Sequence, residues 1–235
     1  MIPEFSKGQI DHLGERLRED QHLDSDLELL DTFRSSFGDA QGAVIRTLRE
    51  LGLSPNGRIA KTTPSIVAKL KRGSLKLARI QDIAGCRIVV EDIAEQDRIV
   101  GLVSGAFQRC RIVDRRKKPS HGYRAVHVIV EVSGKLVEIQ IRTELQHLWA
   151  SFSEEIADTI EQSIKYGGGP AGFHDSLMGM SGLVAEAESL GDGRMSVEER
   201  RTAAASMVET VRLLVPDLDA PRFVHETLER RRRSP

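Results

Sequence analysis

Apolar residues recur three or four positions apart through about the first 55 residues, which is the spacing of one face of an α-helix. The sequence SPNG at residues 54–57 interrupts this pattern with proline and glycine, which end helices. We therefore expect helices up to about residue 55. The repeating apolar positions are Leu13, Leu17, Leu27, Leu30, Phe33, Phe37, Val44, Leu48 and Leu51.

The next part of the chain predicts short strands and helices in turn. Residues 58–74, RIAKTTPSIVAKLKRGS, predict an extended basic piece and then a short helix from about Pro64 to Gly73. The sequence IAGCRIVV at 83–90 is dense in β-branched residues and predicts a buried strand. The acids at 91 and 92 open a helix, and CRIVD at 110–114 predicts a strand before the basic loop RRKKPSHG.

A β-hairpin is the clearest local signal. YRAVHVIVEV at 123–132 and KLVEIQIR at 135–142 flank the two-residue turn Ser133-Gly134. Because side chains alternate along a strand, one face of the hairpin is wholly apolar and must lie in the core. We expect the other face to form a ligand site outside the core, so that Glu138→Ala should leave folding nearly untouched. That face presents His127, Glu131, Glu138, Gln140 and Arg142.

A helix is expected to begin directly after the hairpin, since Thr143 and Gln146 form a capping-box pattern. Trp149 lies on the apolar stripe of that helix, and we expect it in the core. The sequence YGGGP at 166–170 ends this part, and further helices are predicted at about 176–215 and after 216, before a solvated arginine tail at 230–233. The stripe comprises Leu145, Leu148, Trp149, Phe152, Ile156, Ile160 and Ile164.

Together these elements predict an α+β fold, in which a mixed and roughly five-stranded sheet is flanked by helices. The expected organisation is an N-terminal helical extension at 1–55, a core domain at 56–166 and a C-terminal helical extension at 167–235.

The composition is that of an ordinary soluble protein, with 40% hydrophobic and 29% charged residues. No apolar run approaches the ~18–20 residues of a membrane-spanning helix, and the N-terminus lacks the pattern of a secretory signal. We therefore expect a cytoplasmic protein. Cys86 and Cys110 are too few for a disulfide framework, and both lie in apolar stretches where we expect buried thiols.

The net charge of −1 hides two concentrations of basic residues. Residues 58–87 contain eight lysines and arginines against one acid, and residues 109–118 contain six against one. These bases are interleaved with glycine, serine, threonine and proline, which is typical of loops that contact phosphate. The pattern indicates a polyanionic ligand.

Two carboxylates, Asp82 and Glu138, stand out within these basic surroundings. Carboxylates ringed by lysine and arginine suit Mg²⁺ held partly by substrate phosphates. Phosphoryl chemistry needs little beyond a metal, cationic side chains and alignment of the reacting groups. A P-loop enzyme or a Rossmann dehydrogenase is not supported, because the chain has no GxxxxGK[ST] loop and no GxGxxG between a strand and a helix.

Three segments in order, RIQDIAGCRIVV, HGYRAVH and VEIQIRTELQHLWA, resemble the synthetase domain of the RelA/SpoT alarmone synthetases. The resemblance extends from about Arg58 to Tyr166. Within the family, the chain looks most like the small, single-domain members or their toxic relatives. It implies a nucleotidyltransferase-like synthetase domain that binds Mg²⁺. The reaction it implies is transfer of pyrophosphate from ATP to the 3′-hydroxyl of GDP or GTP, which leaves AMP.

The same resemblance implies roles for individual residues. Asp82 and Glu138 would hold the metal, and Glu138 would also activate the hydroxyl. Gln140 would be a third catalytic residue, near the acceptor or the transferred phosphates. The implied ATP-binding residues are Arg58, Lys61, Lys69, Arg72 and Arg87. The implied acceptor-binding residues are Lys117, Tyr123, Arg124, His127 and Arg142, with the Tyr123 ring stacked on the acceptor base.

Two alternatives stay open from the sequence. In the first, the same donor chemistry serves a different acceptor, either an adenine nucleotide or the 3′ end of tRNA. In the second, the fold is a catalytically silent module that binds nucleotide or RNA. For residues 167–235 three roles stay open, which are contact with a second copy of the chain, with an antitoxin-like protein or with tRNA.

Overall fold

The structure is a computed structural model that describes residues 5–58, 61–73, 75–159, 162–169, 173–189 and 202. It contains two compact units. The first is made of the described residues within Met1–Ile88, Val100–Val113 and His127–Gln140, and the second of those within Val89–Ile99, Asp114–Val126 and Ile141–Pro235. The helices predicted after residue 189, Ile160 and the arginines at 230–233 lie outside the described residues. The three-part division at residues 55 and 166 stays a prediction.

The first unit opens with three helices, α1 (Lys7–Arg18), α2 (Asp24–Ser35) and α3 (Gly38–Glu50), as the apolar spacing predicts. Ser6 begins α1 with a capping box in which its hydroxyl accepts from the Gln9 amide at 3.2 Å. After the short strand β1 (Asn56–Arg58), the helix α4 (Thr63–Arg72) starts one residue before Pro64 and is followed by Gly73. The core of these elements is Ile10, Leu13, Leu17, Leu30, Phe33, Phe37, Ile66, Leu70, Leu77, Ile80, Ile83 and Ala84.

Five strands form one sheet, most of whose residues lie in the first unit. β2 (Ala84–Val90), β3 (Cys110–Asp114), β4 (Val126–Val132) and β5 (Lys135–Thr143) join β1 in the order β1-β2-β5-β4-β3. β1 pairs antiparallel with β2, so that Arg58 lies opposite Gly85. The predicted α+β class and mixed five-stranded sheet are confirmed.

The hairpin of β4 and β5 is confirmed with its turn. Ser133 and Gly134 have φ angles of 50° and 72°, the left-handed conformation that a tight two-residue hairpin turn requires. The apolar face lies in the core as predicted, with Val128, Val137 and Ile139 each fully buried.

The expectation that the polar face of the hairpin lies outside the core is wrong for three of its five residues, whereas Glu131 is exposed and His127 is half-buried. Glu138, Gln140 and Arg142 are only 7%, 5% and 2% exposed. The reason is that β5 is a central strand in the order of the sheet, with neighbours on both sides. Alternation along a strand shows which side chains share a face, and it carries no information on what covers that face.

The two cysteines differ. Cys86 on β2 is buried, as expected, and burial raises the pKa of its thiol to about 12. Cys110 is exposed, so its predicted burial is wrong. Cys110 begins β3, the last strand in the order of the sheet, and edge strands are covered less completely than central ones.

The second unit contains the helices α6 (Glu144–Thr159) and α7 (Phe173–Ser189), and the first turns of α5 (Ile93–Ala106) also belong to it. The predicted capping box opens α6, since the Gln146 amide donates to Thr143 Oγ1 at 3.1 Å. Trp149 is 3% exposed and donates from Nε1 to the Leu177 carbonyl oxygen at 3.1 Å, so its place in the core is confirmed. Within the part of the chain that the structure describes, no helix is long and apolar enough to cross a membrane.

A glycine-to-alanine pair tests how closely β2 packs on β5. A Cβ atom at Gly85 would lie 2.5 Å from the Glu138 carbonyl oxygen, whereas one at Gly101 on α5 would meet nothing within 4 Å. We expect Gly85→Ala to lower the free energy of unfolding by about 1–3 kcal/mol, because the strands must separate. Gly101→Ala should leave it unchanged or raise it by up to about 1 kcal/mol, because alanine favours a helix. Urea unfolding measures both, and equal stabilities would contradict this packing.

Candidate active site

Asp82 lies two residues before β2 and is held between two lysines. Lys61 Nζ is 3.1 Å from Oδ2 and Lys69 Nζ is 2.6 Å from Oδ1. The Lys61 amide donates to the Ile83 carbonyl oxygen at 2.9 Å, which fixes the Lys61 backbone beside the start of β2. Burial raises the pKa of Asp82, but the two ammonium groups outweigh burial and lower the pKa to about 2. Asp82 is therefore an ionised, largely buried carboxylate.

Glu138 lies in the middle of β5 and has three polar partners. His127 Nδ1 is 3.0 Å from Oε1, Gln140 Nε2 donates to Oε2 at 2.6 Å, and Arg58 Nη1 is 3.6 Å from Oε2. Gln140 reaches the carboxylate because residues two apart on a strand share a face. Burial raises the pKa of Glu138 and His127 lowers it, and the net direction is downward.

The two carboxylates act on each other. The charge of Asp82 raises the pKa of Glu138 against the effect of His127 and Gln140. The same charge raises the pKa of Arg72 on α4, although burial lowers it more. Asp82, Glu138 and Arg72 thus belong to one electrostatic group within the first unit.

The remaining donor-side arginines lie on β1 and β2. Arg58 is on β1, with 35% of its side chain exposed beside Glu138. Arg87 is on β2, opposite Asn56 of β1. The structure therefore brings together in the first unit all the residues that the resemblance assigns to metal and ATP. It also places His127 there, against Glu138.

A second group of predicted residues lies in the second unit. Arg142 Nη2 donates to the Tyr123 hydroxyl oxygen at 3.0 Å, and its guanidinium carbon lies 4.9 Å from the centre of the Tyr123 ring. Arg124 donates from Nε to Ser181 on α7 and from Nη1 to the Arg116 carbonyl oxygen. Lys117 is exposed.

The basic loop after β3 is partly neutralised within the second unit. Arg116 donates to Asp114 and Asp97, each at 2.7 Å. Of the basic residues in that loop, Arg116 therefore forms ion pairs with two acids, whereas Lys117 and Lys118 are exposed. Charge density along the sequence could not distinguish them, because Asp97 comes from a different element.

Sequence reasoning missed a buried polar network in the second unit. Gln96 is fully buried and donates to the Ile141 carbonyl oxygen and to Gln146 Oε1 at 2.7 and 2.8 Å. Glu188 on α7 accepts from Gln146 Nε2 at 3.2 Å and from the Thr143 hydroxyl. The capping-box pattern was the one signal that pointed to Thr143 and Gln146.

The donor atoms in the first unit suit a hard divalent cation. Asp82 and Glu138 supply carboxylate oxygens, which Mg²⁺ prefers, and two ammonium groups already lie against Asp82 as cations. Within the described residues, no group of three or more histidine, cysteine, aspartate or glutamate side chains is placed to hold a metal. The set is thus incomplete by itself, as expected where substrate phosphates supply further ligands.

Comparison with known proteins agrees with the sequence resemblance. Residues 57–166 match the model of the region found in RelA and SpoT proteins. An uncharacterized protein of Mycobacterium tuberculosis is 44% identical over 111 residues, 46% of this chain and 41% of that protein. A GTP pyrophosphokinase of Bacillus subtilis is 37% identical over 125 residues, 47% of this chain and 54% of that protein. The chain thus spans about half the length of these relatives.

Solved structures show the same fold. The small alarmone synthetase 1 of Bacillus subtilis bound to its product pppGpp aligns with a TM-score of 0.50 and 26% identity over 66% of this chain and 89% of that one. A GTP pyrophosphokinase family protein of Streptococcus pneumoniae aligns with a TM-score of 0.52 and 21% identity over 78% and 98%. The central part of the chain, residues 57–166, therefore resembles the RelA/SpoT region in sequence, and the solved structures share its fold.

The ion pairs of Asp82 should make stability depend on acid pH. The folded pKa of about 2 lies below the ordinary 3.8, so the unfolded state takes up the proton first. Asp82 should then contribute about 2 kcal/mol at neutral pH, lost as the pH falls from about 5 towards 2. In Asp82→Asn this part of the loss of stability at acid pH should be absent.

Urea unfolding at pH 7, 4 and 3 measures this difference. Asp20→Asn is the matched control, because its ion pair with Lys71 lies at the exposed surface and should contribute little. Equal acid dependence in the wild type and Asp82→Asn would contradict the assignment.

Proposed function

We propose that the chain transfers the β,γ-pyrophosphoryl group of ATP to the 3′-hydroxyl of GDP or GTP, forming (p)ppGpp and AMP. One observation carries the proposal. Two carboxylates of lowered pKa, the largely buried Asp82 and the buried Glu138, lie against lysine, arginine and histidine side chains. Buried charge is costly and is concentrated at sites that use it.

The donor side is assigned to the first unit. Lys61, Lys69 and Arg72 are the cations for the ATP phosphates, and Arg58 and Arg87 offer flat guanidinium groups for the adenine base. Asp82 and Glu138 would hold Mg²⁺, which supplies charge neutralisation at the phosphates. When phosphates arrive, the two lysines can exchange Asp82 for the phosphate oxygens, since both are anionic acceptors.

The transfer step is assigned to Glu138. A carboxylate oxygen accepts the proton of the 3′-hydroxyl, the hydroxyl oxygen forms a bond to the β-phosphorus, and the bond from that phosphorus to the α,β-bridging oxygen breaks to release AMP. His127 and Gln140 orient the carboxylate through the contacts at 3.0 and 2.6 Å. This geometry supports His127 as a partner of Glu138 in addition to its assigned place on the acceptor side.

The acceptor side is assigned to the second unit. A tyrosine ring is a platform on which a base stacks, and Arg142 stabilises the ring of Tyr123 through its hydroxyl and its face. Lys117 and Arg124 are the cations assigned to the acceptor phosphates. Because stacking favours no particular base, the guanine acceptor rests on the likeness to proteins named GTP pyrophosphokinase and small alarmone synthetase.

The reaction is tested with ATP labelled in its terminal phosphates, Mg²⁺, and GDP, GTP, ADP or bulk tRNA in turn. We expect AMP and labelled guanine nucleotide, and we expect chelation of the metal to stop both. Glu138→Gln, which removes the charge and keeps the size, should abolish transfer. Its fold is checked by circular dichroism, because the residue is buried. Label that accumulates in tRNA or ADP alone would contradict the assignment of a guanine nucleotide as acceptor. Wild-type turnover in Glu138→Gln would contradict the role assigned to the carboxylate.

The donor assignment is tested by two lysines of one helix. Lys69 contacts the buried Asp82, whereas Lys71 pairs with the exposed Asp20. Lys69→Met should weaken binding of a non-hydrolysable ATP analogue with Mg²⁺ by about 10-fold or more, because a charged hydrogen bond to phosphate is lost. Lys71→Met should change it less than about twofold. Calorimetric titration compares the two, and equal effects would contradict the assignment.

A further inference from the structure

Helix α7 lies beyond the region that matches the RelA/SpoT family, yet it contacts the loop that carries Tyr123. Ser181 on α7 is 1% exposed, and its hydroxyl donates to the Gly122 carbonyl oxygen at 2.5 Å. Arg124 Nε in turn donates to Ser181 Oγ at 2.9 Å and to the Ser181 carbonyl oxygen at 3.2 Å. One residue of α7 thus holds the loop on both sides of Tyr123.

The same loop packs closely against α6. Gly122 has a φ of 84°, and a Cβ atom there would lie 2.6 Å from the Trp149 ring. Trp149 is bound to α7 through its hydrogen bond to the Leu177 carbonyl oxygen. The backbone at Gly122 is therefore enclosed between an aromatic ring on α6 and a serine on α7.

Glu188, two helical turns after Ser181, makes a second connection. It accepts from Gln146 and Thr143, and the charges of Arg124 and Arg116 act on it. Thr143 directly follows Arg142, whose guanidinium lies on the Tyr123 ring. Glu188 thus holds the end of β5 and lies within the electrostatic reach of Arg124.

We propose that Ser181 and Glu188 of α7 are positioning residues for the acceptor-binding side chains Tyr123, Arg124 and Arg142. This inference rests on the proposed function, because it assumes that these three side chains bind the acceptor. Side chains that are already fixed before binding lose less entropy when a ligand arrives. Loss of either contact should therefore weaken binding of the acceptor. Binding of ATP should be unaffected, because its assigned residues lie in the first unit.

The first test is Ser181→Ala against Ser189→Ala. Ser189 lies on the same helix, and its exposed hydroxyl donates to the Glu186 carbonyl oxygen of that helix. Ser181→Ala should raise KM for the acceptor by about 3- to 10-fold, with KM for ATP and kcat within about twofold of the wild type. Ser189→Ala should change none of the three.

The variant Val184→Ala tests whether Ser181 acts only by stabilising the fold. Val184 is 2% exposed in the core of the second unit, so its truncation should lower Tm. If Ser181 only stabilised the helix, Val184→Ala would raise the acceptor KM in proportion to its loss of Tm. We expect the acceptor KM to be unchanged in Val184→Ala, and a matching rise would overturn the proposal.

Glu188 is tested by Glu188→Gln against Glu186→Gln, an exposed carboxylate on the same helix. Glu188→Gln removes the negative charge that accepts from Thr143 and Gln146 and should raise the acceptor KM by about 3-fold or more. Glu186→Gln should match the wild type. Equal acceptor KM values for both variants would overturn the part assigned to Glu188.

Hydrogen exchange gives a readout that needs no turnover. Ser181→Ala should speed amide exchange at residues 120–124 by at least about 10-fold relative to Ser189→Ala, because the loop opens more often. Unchanged exchange there would overturn the proposal even if the enzyme is active. A wild type that forms no product with any acceptor would overturn the proposed function alone, and faster loop exchange in Ser181→Ala would still show that α7 fixes the loop.

Discussion

A negative charge buried in the middle of a sheet is the constraint on which the rest of this architecture depends. Glu138 lies on a central strand with 7% exposure, and an isolated carboxylate there would cost several kcal/mol. The surrounding chain satisfies it with an imidazole, an amide and a guanidinium. Removing any one partner takes away part of that compensation, so these residues are constrained together. Gly85 belongs to the same arrangement, because only a residue without a side chain lets β2 approach the Glu138 carbonyl oxygen of β5 this closely.

Much of the fold was predictable because its signals are local. Helical spacing placed the first helices, the Ser133-Gly134 turn placed the hairpin, and the Thr143–Gln146 pair placed the start of α6. Each of these depends on residues within a few positions of one another. The burial of Glu138 and the exposure of Cys110 depend instead on where a strand lies in the sheet, and that is set by pairing between distant segments.

The site shows the same division between local and distant information. The polar alternation of β5 brought Glu138 and Gln140 to one face, and the basic segment before β2 supplied the lysines around Asp82. What the pattern could not show is which bases are already neutralised. Arg116 and Lys117 are neighbours in a basic loop, yet acids on two different elements occupy Arg116. Glu188 and Ser181 carry no sequence signature at all, since a serine and a glutamate on a helix are usually solvent-facing residues.

The hairpin also bears on how the molecule folds. Glu138 and His127 are separated by only eleven positions, and the turn between them has the geometry that closes a two-residue hairpin. Isolated hairpins form within about 1–10 μs, whereas pairings between distant strands are slower because long loops must close first. The contact between the carboxylate and the imidazole is therefore of low contact order. It can be established early on the folding pathway, before β1 and β2 are recruited to complete the sheet around it.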